Sequence, residues 1–172
     1  MALLLRRTAL FFAIVLSFAF LAAAARAAGR EVVSLHGYAP GTIVVKTHER
    51  RLYYVLDSGR ALRFPVGVGR TGMQWHGNAH VEGKYVRPAW APPPMIRAEN
   101  PHLPKVIPGG APNNPMGAAA LTLRGGEYAI HGTNVPGSVG GFVSYGCIRM
   151  LNDDISDLYQ RVPVGTTVTV TR

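Results

Sequence analysis

The sequence predicts a mainly β domain, a β-sandwich or open barrel with one short helix. Short runs rich in β-branched and aromatic residues recur from Thr42 onward, and clusters of Gly, Pro, Asn and Asp separate them. The clearest helical pattern of apolar residues begins at Asn152. Several short strands joined by turns, with little helix, are typical of a sandwich or a barrel.

The first three strands are predicted to form an antiparallel meander. Residues 42–47 and 51–56 are the first two strands, and His48-Glu49-Arg50 connects them as a hairpin. The turn Asp57-Ser58-Gly59 leads to a third strand over residues 61–68. Strands with such short connections pair antiparallel.

The middle of the chain is less regular. Residues 70–78 are predicted as a polar loop broken by glycine, and residues 81–87 as a strand. His76 and His80 stand four apart, but Gly77 and Asn78 lie between them and a strand follows. Since no helical face would bring the two imidazoles together, we predict no metal site.

Residues 88–115 contain nine prolines in twenty-eight positions. A segment of this length is long for a simple connection, which predicts a structured functional loop. One or two helical turns with proline at their start are expected at Pro94-Met95. The alternative is a proline-rich surface loop that does not contact substrate.

The last third of the chain contains the clearest elements. Residues 128–131 read as a buried strand, and Phe142-Val143 as the start of another. A helix is predicted from about Asp153 to Arg161, with Asn152 as its N-cap. Residues 166–171 alternate as a closing strand.

Residues 1–27 are predicted to be a cleaved signal peptide. Arg6 and Arg7 precede an apolar run over residues 10–25, and Ala25-Arg26-Ala27 offers a cleavage site. An uncleaved N-terminal anchor is the alternative. The expected location is therefore the periplasm or cell envelope. Residues 28–41 would then be a short lead-in to the domain.

The formal net charge is +9, and without the three arginines of the predicted signal peptide it is about +6, which favours attraction of the exported domain to polyanionic envelope material. The basic residues do not form a stripe along one predicted element, so nucleic acid is not an expected partner. The remaining length suits one domain, and we expect a monomer.

The chain has a single cysteine, Cys147, and His131 lies sixteen residues before it. A lone cysteine in an oxidising compartment is either buried or kept as a reactive thiol, and an imidazole can take the proton of a thiol. The residues between them, 132–141, contain four glycines and one proline and are predicted as a loop. The two side chains could meet at one end of a sheet. A buried, inert cysteine is the alternative.

These residues resemble the L,D-transpeptidase catalytic domain family, the YkuD type and its ErfK/YbiS-like members. The resemblance rests on His131-Gly132-Thr133, the glycine-rich loop, and Ser144-Tyr145-Gly146-Cys147-Ile148-Arg149. It covers residues 42–170, which would be the catalytic domain, and it favours a strand over helix for residues 117–123. One position departs from the family pattern, since Tyr145 stands where a second histidine is usual.

The resemblance implies an enzyme of peptidoglycan biosynthesis that acts in cell-wall organisation and cell shape. Cys147 would be the nucleophile and His131 the general base. Gly146, Tyr145 and Ser144 would bind the oxyanion or orient the catalytic groups, with Ser144 either orienting His131 or ending a strand. Arg149, Gly132 and Thr133 would bind substrate, although Arg149 could instead brace the loop. The resemblance implies no metal and no organic cofactor.

The expected substrate is a peptidoglycan stem peptide. Cys147 would attack the carbonyl of meso-diaminopimelate, release D-alanine and form a thioester. The thioester would pass to a second stem peptide, to an envelope protein or lipoprotein, or to water, as in an L,D-carboxypeptidase. A non-catalytic peptidoglycan-binding module, with a decayed site at Tyr145, is the alternative from another class.

Overall fold

The structure is a computed structural model that describes residues 31–125 and 128–172. These residues form a mainly β fold, which confirms the predicted class. The predicted signal peptide lies outside the described residues. No helix within the described ranges is both long and apolar enough to cross a membrane.

Strands account for most of the regular structure. Their bounds are β1 (Glu31–Ser34), β2 (Ile43–Lys46), β3 (Arg51–Val55), β4 (Arg60–Pro65), β5 (Val68–Gly69), β6 (Gly77–Val86), β7 (Ala119–Leu123), β8 (Ala129–His131), β9 (Phe142–Ser144), β10 (Ile148–Arg149) and β11 (Thr167–Thr171). The helices are α1 (Pro94–Glu99) and α2 (Asn152–Arg161), and residues Pro136–Ser138 form one 3₁₀ turn.

Nine of these strands form one sheet in the order β1-β4-β3-β2-β11-β6-β7-β8-β10. Strands β2, β3 and β4 pair antiparallel in sequence order, which confirms the predicted meander. The closing strand β11 lies parallel to β2 and antiparallel to β6, so it joins the meander to the second half of the chain. Strands β5 and β9 pair separately.

Strand β6 links the two halves of the sheet. Its first residues, Gly77 to His80, pair with β11, and its later residues, from Val81 onward, pair with β7 with a register shift between Val81 and Gly83. The strand therefore begins within the predicted loop over residues 70–78. Gly77 and Asn78 have weak strand propensity, and the pairing with β11 overrides it.

Helix α2 covers the sheet beside β7 and β8. Its Ile155 and Leu158 are fully buried in the main core, together with Val162 just after the helix. The predicted helix is thus confirmed, but its predicted N-cap is wrong. Leu151 is the N-cap, and the side chain of Asn152 bonds to Ala118, just before β7, and Thr133, just after β8, instead of its own helix.

The proline-rich segment, residues 88–115, is ordered by its own hydrogen bonds. The backbones of Trp90 and Ile107 exchange two hydrogen bonds of 2.9 and 2.8 Å, which close the segment into a loop. The buried amide of Asn114 donates to the carbonyls of Pro88 and Pro108, both at 2.9 Å. Helix α1 begins at Pro94, as the proline at its first turn predicted.

Candidate active site

Parallel pairing of β8 and β10 brings the predicted catalytic residues together. Ile148 lies beside Ile130, and Arg149 beside His131. Because side chains alternate along a strand, the two isoleucines enter the core while Cys147, Arg149 and His131 point to the opposite face. Strand β10 was not predicted, because two residues carry no periodicity.

The face opposite the core forms one wall of a cleft of about 550 Å³. Cys147, His131, Arg149, Ser144 and Tyr145 line it from this side. The facing wall comes mainly from the proline-rich segment and its flank. Its lining residues are Trp90, Pro93, Pro94, Met95, Ile96, Pro115 and Met116. The structure therefore favours a functional loop over a surface loop remote from the cleft.

His131 is almost completely buried and held in one orientation. Its Nδ1 lies 2.7 Å from the carbonyl oxygen of Gly132, so Nδ1 carries the proton and donates it there. Burial, reinforced by the charge of Arg149, lowers the pKa of His131 to about 4, although hydrogen bonds with the Gly132 and Pro115 carbonyls oppose this shift. The imidazole is neutral at pH 7, which leaves Nε2 able to accept a proton.

Cys147 is a partly exposed free thiol at the floor of the cleft. Burial raises its pKa, while a hydrogen bond with the Ala129 backbone and the charge of Arg149 act in the opposite direction. The resting pair is therefore a neutral thiol and a neutral imidazole. Such a pair needs proton transfer during the attack.

Ser144 shapes the turn that carries the cysteine. Its hydroxyl donates to the carbonyl of Cys147 at 2.6 Å and accepts from the N–H of Gly146 at 3.1 Å. Ser144 thus positions Cys147 and ends β9, and it does not bond to His131. The Gly146 N–H, one of the predicted oxyanion donors, thus donates to Ser144 in this structure.

Gly146 also meets two aromatic rings. Its φ is +118°, and an added Cβ would overlap with the ring of Tyr128. Tyr128 stacks on Trp75 with ring centroids 5.2 Å apart, and Trp75 Nε1 donates to the Gly146 carbonyl at 2.9 Å. The close approach of the glycine to this stack therefore sets how near the turn over residues 144–147, which contains Cys147, lies to the two rings.

Tyr145 points across the mouth of the cleft to the proline-rich segment. Its hydroxyl donates to Glu99 at the end of α1. Arg70 pairs with the same carboxylate at 2.7 Å, and its guanidinium lies 4.0 Å from the centre of the Tyr145 ring. We call these three residues the rim cluster. The Tyr145 hydroxyl, the other predicted oxyanion donor, is thus bonded to Glu99 in this structure.

Arg149 makes a structural contact and also lines the cleft. Its Nη1 donates to the Ser138 hydroxyl at 3.2 Å, which braces the glycine-rich loop as one of the two predicted roles requires. Its Nε is buried without a hydrogen-bond partner among the described residues. The guanidinium thus retains unused hydrogen-bonding capacity and places a positive charge beside Cys147.

Gly132 and Thr133 are structural in this fold. Thr133 is 1% exposed, and its hydroxyl accepts from the N–H of Val135 at 3.0 Å. Gly132 is buried against the side chain of Asn152, and neither residue lines the cleft. Their contacts in this structure are with the fold itself, and substrate binding by these two residues stays a prediction.

The arrangement can carry out nucleophilic acyl transfer. It holds a thiol, a neutral imidazole with one unprotonated nitrogen and a cation on one wall of a cleft, on strands β8 and β10 and the turn just before β10. Among residues 31–125 and 128–172, no three His, Cys, Asp or Glu side chains are grouped closely enough to hold a metal ion.

Residues 40–170 match the model of the family described as YkuD, L,D-transpeptidase catalytic domain. The chain belongs to this family. The match covers both motifs, the strands from β2 to β10, β11 as far as Val170, and helices α1 and α2.

Relatives of the YkuD domain agree in sequence and in fold. The probable L,D-transpeptidase ErfK/SrfK of Escherichia coli K12 is 45% identical over 135 residues, which are 74% of this chain and 43% of the relative. This chain thus spans less than half of that relative's length. An L,D-transpeptidase from Mycobacterium smegmatis shares the fold with a TM-score of 0.60 at 20% identity, over 76% of this chain and 58% of that one.

A third relative has a different name. A Brucella melitensis protein described as a probable carnitine operon oxidoreductase is 38% identical, with a TM-score of 0.56 over 80% of this chain and 89% of that one. Dinucleotide binding uses a glycine-rich turn that leads from a strand into a helix. In this YkuD domain the glycine-rich loop after β8 leads through one 3₁₀ turn to strand β9, so it differs from a dinucleotide-binding turn.

Three contributors to this YkuD site were not predicted from the sequence. Trp75 lies in the segment predicted as a polar loop. A large aromatic residue in such a loop was the sequence signal that could have identified it. Glu99 and Arg70 lie 46 and 29 residues from their partners in the rim cluster. No local pattern marks such pairs.

Proposed function

We propose that this chain is the catalytic domain of a peptidoglycan L,D-transpeptidase. The carrying observation is the placement of Cys147 and His131 on one face of two paired strand ends, where both line the same cleft. Membership of the YkuD family supports this reaction over other thiol chemistry. The substrate is a stem peptide in which meso-diaminopimelate is followed by a terminal D-alanine.

In the acylation step, the Cys147 thiol gives its proton to Nε2 of His131 as the sulfur attacks the diaminopimelate carbonyl. The tetrahedral intermediate then collapses, and the D-alanine amine leaves with the proton held by His131. A thioester on Cys147 remains. An acceptor amine next gives a proton to His131, attacks the thioester and restores the thiol. The neutral imidazole suits this role, because a protonated one could accept nothing.

The N–H of Cys147 is our candidate donor to the oxyanion. The two predicted donors, the Gly146 N–H and the Tyr145 hydroxyl, are already bonded to Ser144 and Glu99. Removing one oxyanion donor typically costs about 10²–10³ in rate. Substrate binding would therefore either rely on the Cys147 N–H or rearrange the turn.

Arg149 is proposed to bind the carboxylate of the terminal D-alanine. It lies beside Cys147 and lines the cleft, and no described carboxylate pairs with it. An arginine binds a carboxylate with geometric specificity through two parallel hydrogen bonds. This contact would limit the enzyme to a bond one residue from the end of the substrate.

For the acceptor of the acyl group we propose three classes of molecule, and for the location a compartment. A stem peptide, an envelope protein or water are each compatible with the open cleft, and the working location is the periplasm or cell envelope. We propose a monomer as the working unit. The non-catalytic binding module is the second candidate, and the intact pair of Cys147 and His131 argues against it.

Mass spectrometry after incubation with a carbapenem tests the proposal. One of the L,D-transpeptidase structures that share this fold holds imipenem, a member of that β-lactam class. We expect one covalent adduct on Cys147, no adduct in Cys147→Ser, and acylation at least about 100-fold slower in His131→Ala.

The same samples distinguish the alternatives. A folded wild-type protein without an adduct would contradict the transpeptidase proposal and favour a binding module. Resistance of Cys147 to a small alkylating reagent would indicate an inert cysteine. Release of free D-alanine from a tetrapeptide in the presence or absence of an acceptor amine would separate transpeptidation from hydrolysis.

A further inference from the structure

We propose that Asn152 is a positioning residue that holds His131 in its active tautomer through the peptide bond between Gly132 and Thr133. The inference rests on the proposed function for its kinetic consequence, but the tautomer can be measured without any substrate. The observations that carry it are four hydrogen bonds at the end of β8.

The Gly132–Thr133 peptide is bonded on both of its sides. Its carbonyl oxygen accepts from Nδ1 of His131 at 2.7 Å, and its N–H donates to Oδ1 of Asn152 at 3.0 Å. The two partners thus fix the plane of one peptide group. A rotation of that peptide would break both hydrogen bonds at once.

The amide of Asn152 acts like a neighbouring strand. It accepts from the N–H of Thr133 and donates from Nδ2 to the carbonyl of the same residue, both at 3.0 Å. Its Oδ1 also accepts from the N–H of Ala118 at 3.0 Å, just before β7. The side chain therefore extends the β7–β8 pairing beyond its last backbone hydrogen bond, from Gly132 N–H to the Ala119 carbonyl.

Two glycines make room for this amide. An added Cβ at Gly117 or at Gly132 would overlap with Oδ1 of Asn152. Gly117 in addition has a φ of +65°, which favours glycine. The close fit of both backbones around one amide oxygen shows a built contact, although Asn152 is otherwise exposed at the start of α2.

The consequence concerns which nitrogen of His131 is free. A fixed Gly132 carbonyl keeps the proton on Nδ1 and leaves the lone pair on Nε2, the nitrogen that must accept the thiol proton. If the peptide could turn, the imidazole would also populate the other tautomer. That tautomer presents an N–H where a base is needed.

Nitrogen NMR of the ¹⁵N-histidine-labelled protein measures the tautomer directly. We expect the wild-type His131 to carry its proton on Nδ1 alone. In Asn152→Ala both nitrogen shifts should move toward an average of the two tautomers. Asn152→Asp keeps an acceptor for the Thr133 and Ala118 N–H groups but replaces the donor to the Thr133 carbonyl with a charged oxygen. Because the bond to the Thr133 N–H holds the peptide plane, this variant should retain the wild-type tautomer.

Kinetics of carbapenem acylation provide the second readout. Asn152→Ala should slow acylation about tenfold or more at saturating reagent, with little change in the concentration for half-saturation. Asn152→Asp should stay within a few-fold of wild type. Asp153→Asn, an exposed neighbour in the same helical turn, is the matched control and should change neither readout.

Each outcome supports or overturns the positioning role of Asn152. Unchanged nitrogen shifts in a folded Asn152→Ala, or equal damage in the Ala and Asp variants, would overturn the positioning role and leave Asn152 a purely structural residue. If Asn152→Ala does not fold, Asn152→Leu, which is close to asparagine in size and lacks both polar atoms, takes its place with the same expected shifts, and unchanged shifts in it would overturn the positioning role. If the wild type shows the expected tautomer but is not acylated, the proposed function fails and the positioning role stands.

Discussion

The two walls of the cleft are held in place by different interactions. The catalytic wall, formed by β8, β10 and the turn over residues 144–147, is fixed by hydrogen bonds to backbone groups and by close packing against Trp75 and Tyr128. The proline-rich wall meets it at the rim cluster, where Glu99 is exposed to solvent.

The contrast predicts different sensitivities. Buried hydrogen bonds and close packing are costly to disturb, whereas exposed ion pairs contribute little and are screened by salt. We therefore expect substitutions on the catalytic wall to affect both stability and chemistry. Substitutions in the rim cluster should affect mainly how the cleft opens and how substrate enters.

Gly146→Ala should show the largest effect. The added methyl group would overlap with the Tyr128 ring at a backbone φ of +118°, so the cysteine turn must shift. A displacement of about 1 Å at a reacting group can cost about 100-fold in rate. Acylation kinetics and thermal unfolding measure the two consequences. Gly137→Ala, in the glycine-rich loop before β9 and with open space around it, is the control. Equal behaviour of the two variants would contradict the packing argument.

Acid should destabilise the protein through His131. The pKa of His131 is about 4 in the folded state and about 6.5 in the unfolded state. Between pH 4 and 6.5 the imidazole is therefore protonated in the unfolded chain but neutral in the folded protein, and protonation favours unfolding. Stability is thus fully present above pH 6.5 and falls as the pH drops toward 4, by about 3 kcal/mol from this group.

Urea unfolding across this pH range tests the acid effect. His131→Gln should flatten the pH dependence. His102→Gln, an exposed histidine of the proline-rich wall, should leave it unchanged. A wild-type slope that survives in His131→Gln would assign the acid sensitivity to other groups.

Trp75→Phe should have an intermediate effect. Phenylalanine keeps most of the stacking surface on Tyr128 but removes the hydrogen bond to the Gly146 carbonyl. A neutral hydrogen bond of this kind contributes about 1 kcal/mol to stability. We expect a loss of that size in urea unfolding and a several-fold slower acylation of Cys147. Unchanged acylation would mean that the stack alone sets the turn.

Glu99→Gln should show the smallest effect and would sharpen the comparison. It removes the charge that pairs with Arg70 and accepts from Tyr145, so we expect unchanged stability and a few-fold change in the substrate concentration for half-saturation. High salt should change the half-saturation concentration of the wild-type protein by a similar factor, because salt screens the same ion pair. Glu82→Gln, exposed on β6, is the control. A large loss of maximal rate in Glu99→Gln would place the rim cluster in the chemistry.

Local patterns account for what could be predicted. Alternating apolar residues, turn residues and the helical face after Asn152 specify which segments form strands or helix, because these preferences act over a few neighbouring residues. The pair of Cys147 and His131 and their motifs pointed to the reaction class. The start of β6 and the two-residue strand β10 were missed, because their pairing partners lie far along the chain.

The partners of polar groups could not be predicted in this way. Tyr145 and the Gly146 N–H were plausible oxyanion donors by chemistry, but Glu99 and Ser144 occupy them. Asn152 is a good N-cap residue, yet strands β7 and β8 come close enough to bind its amide instead. The sequence determined which donors and acceptors are present. Only packing between elements that are distant in the sequence decided which donor meets which acceptor, because a hydrogen bond is sensitive to changes in distance of a few tenths of an ångström.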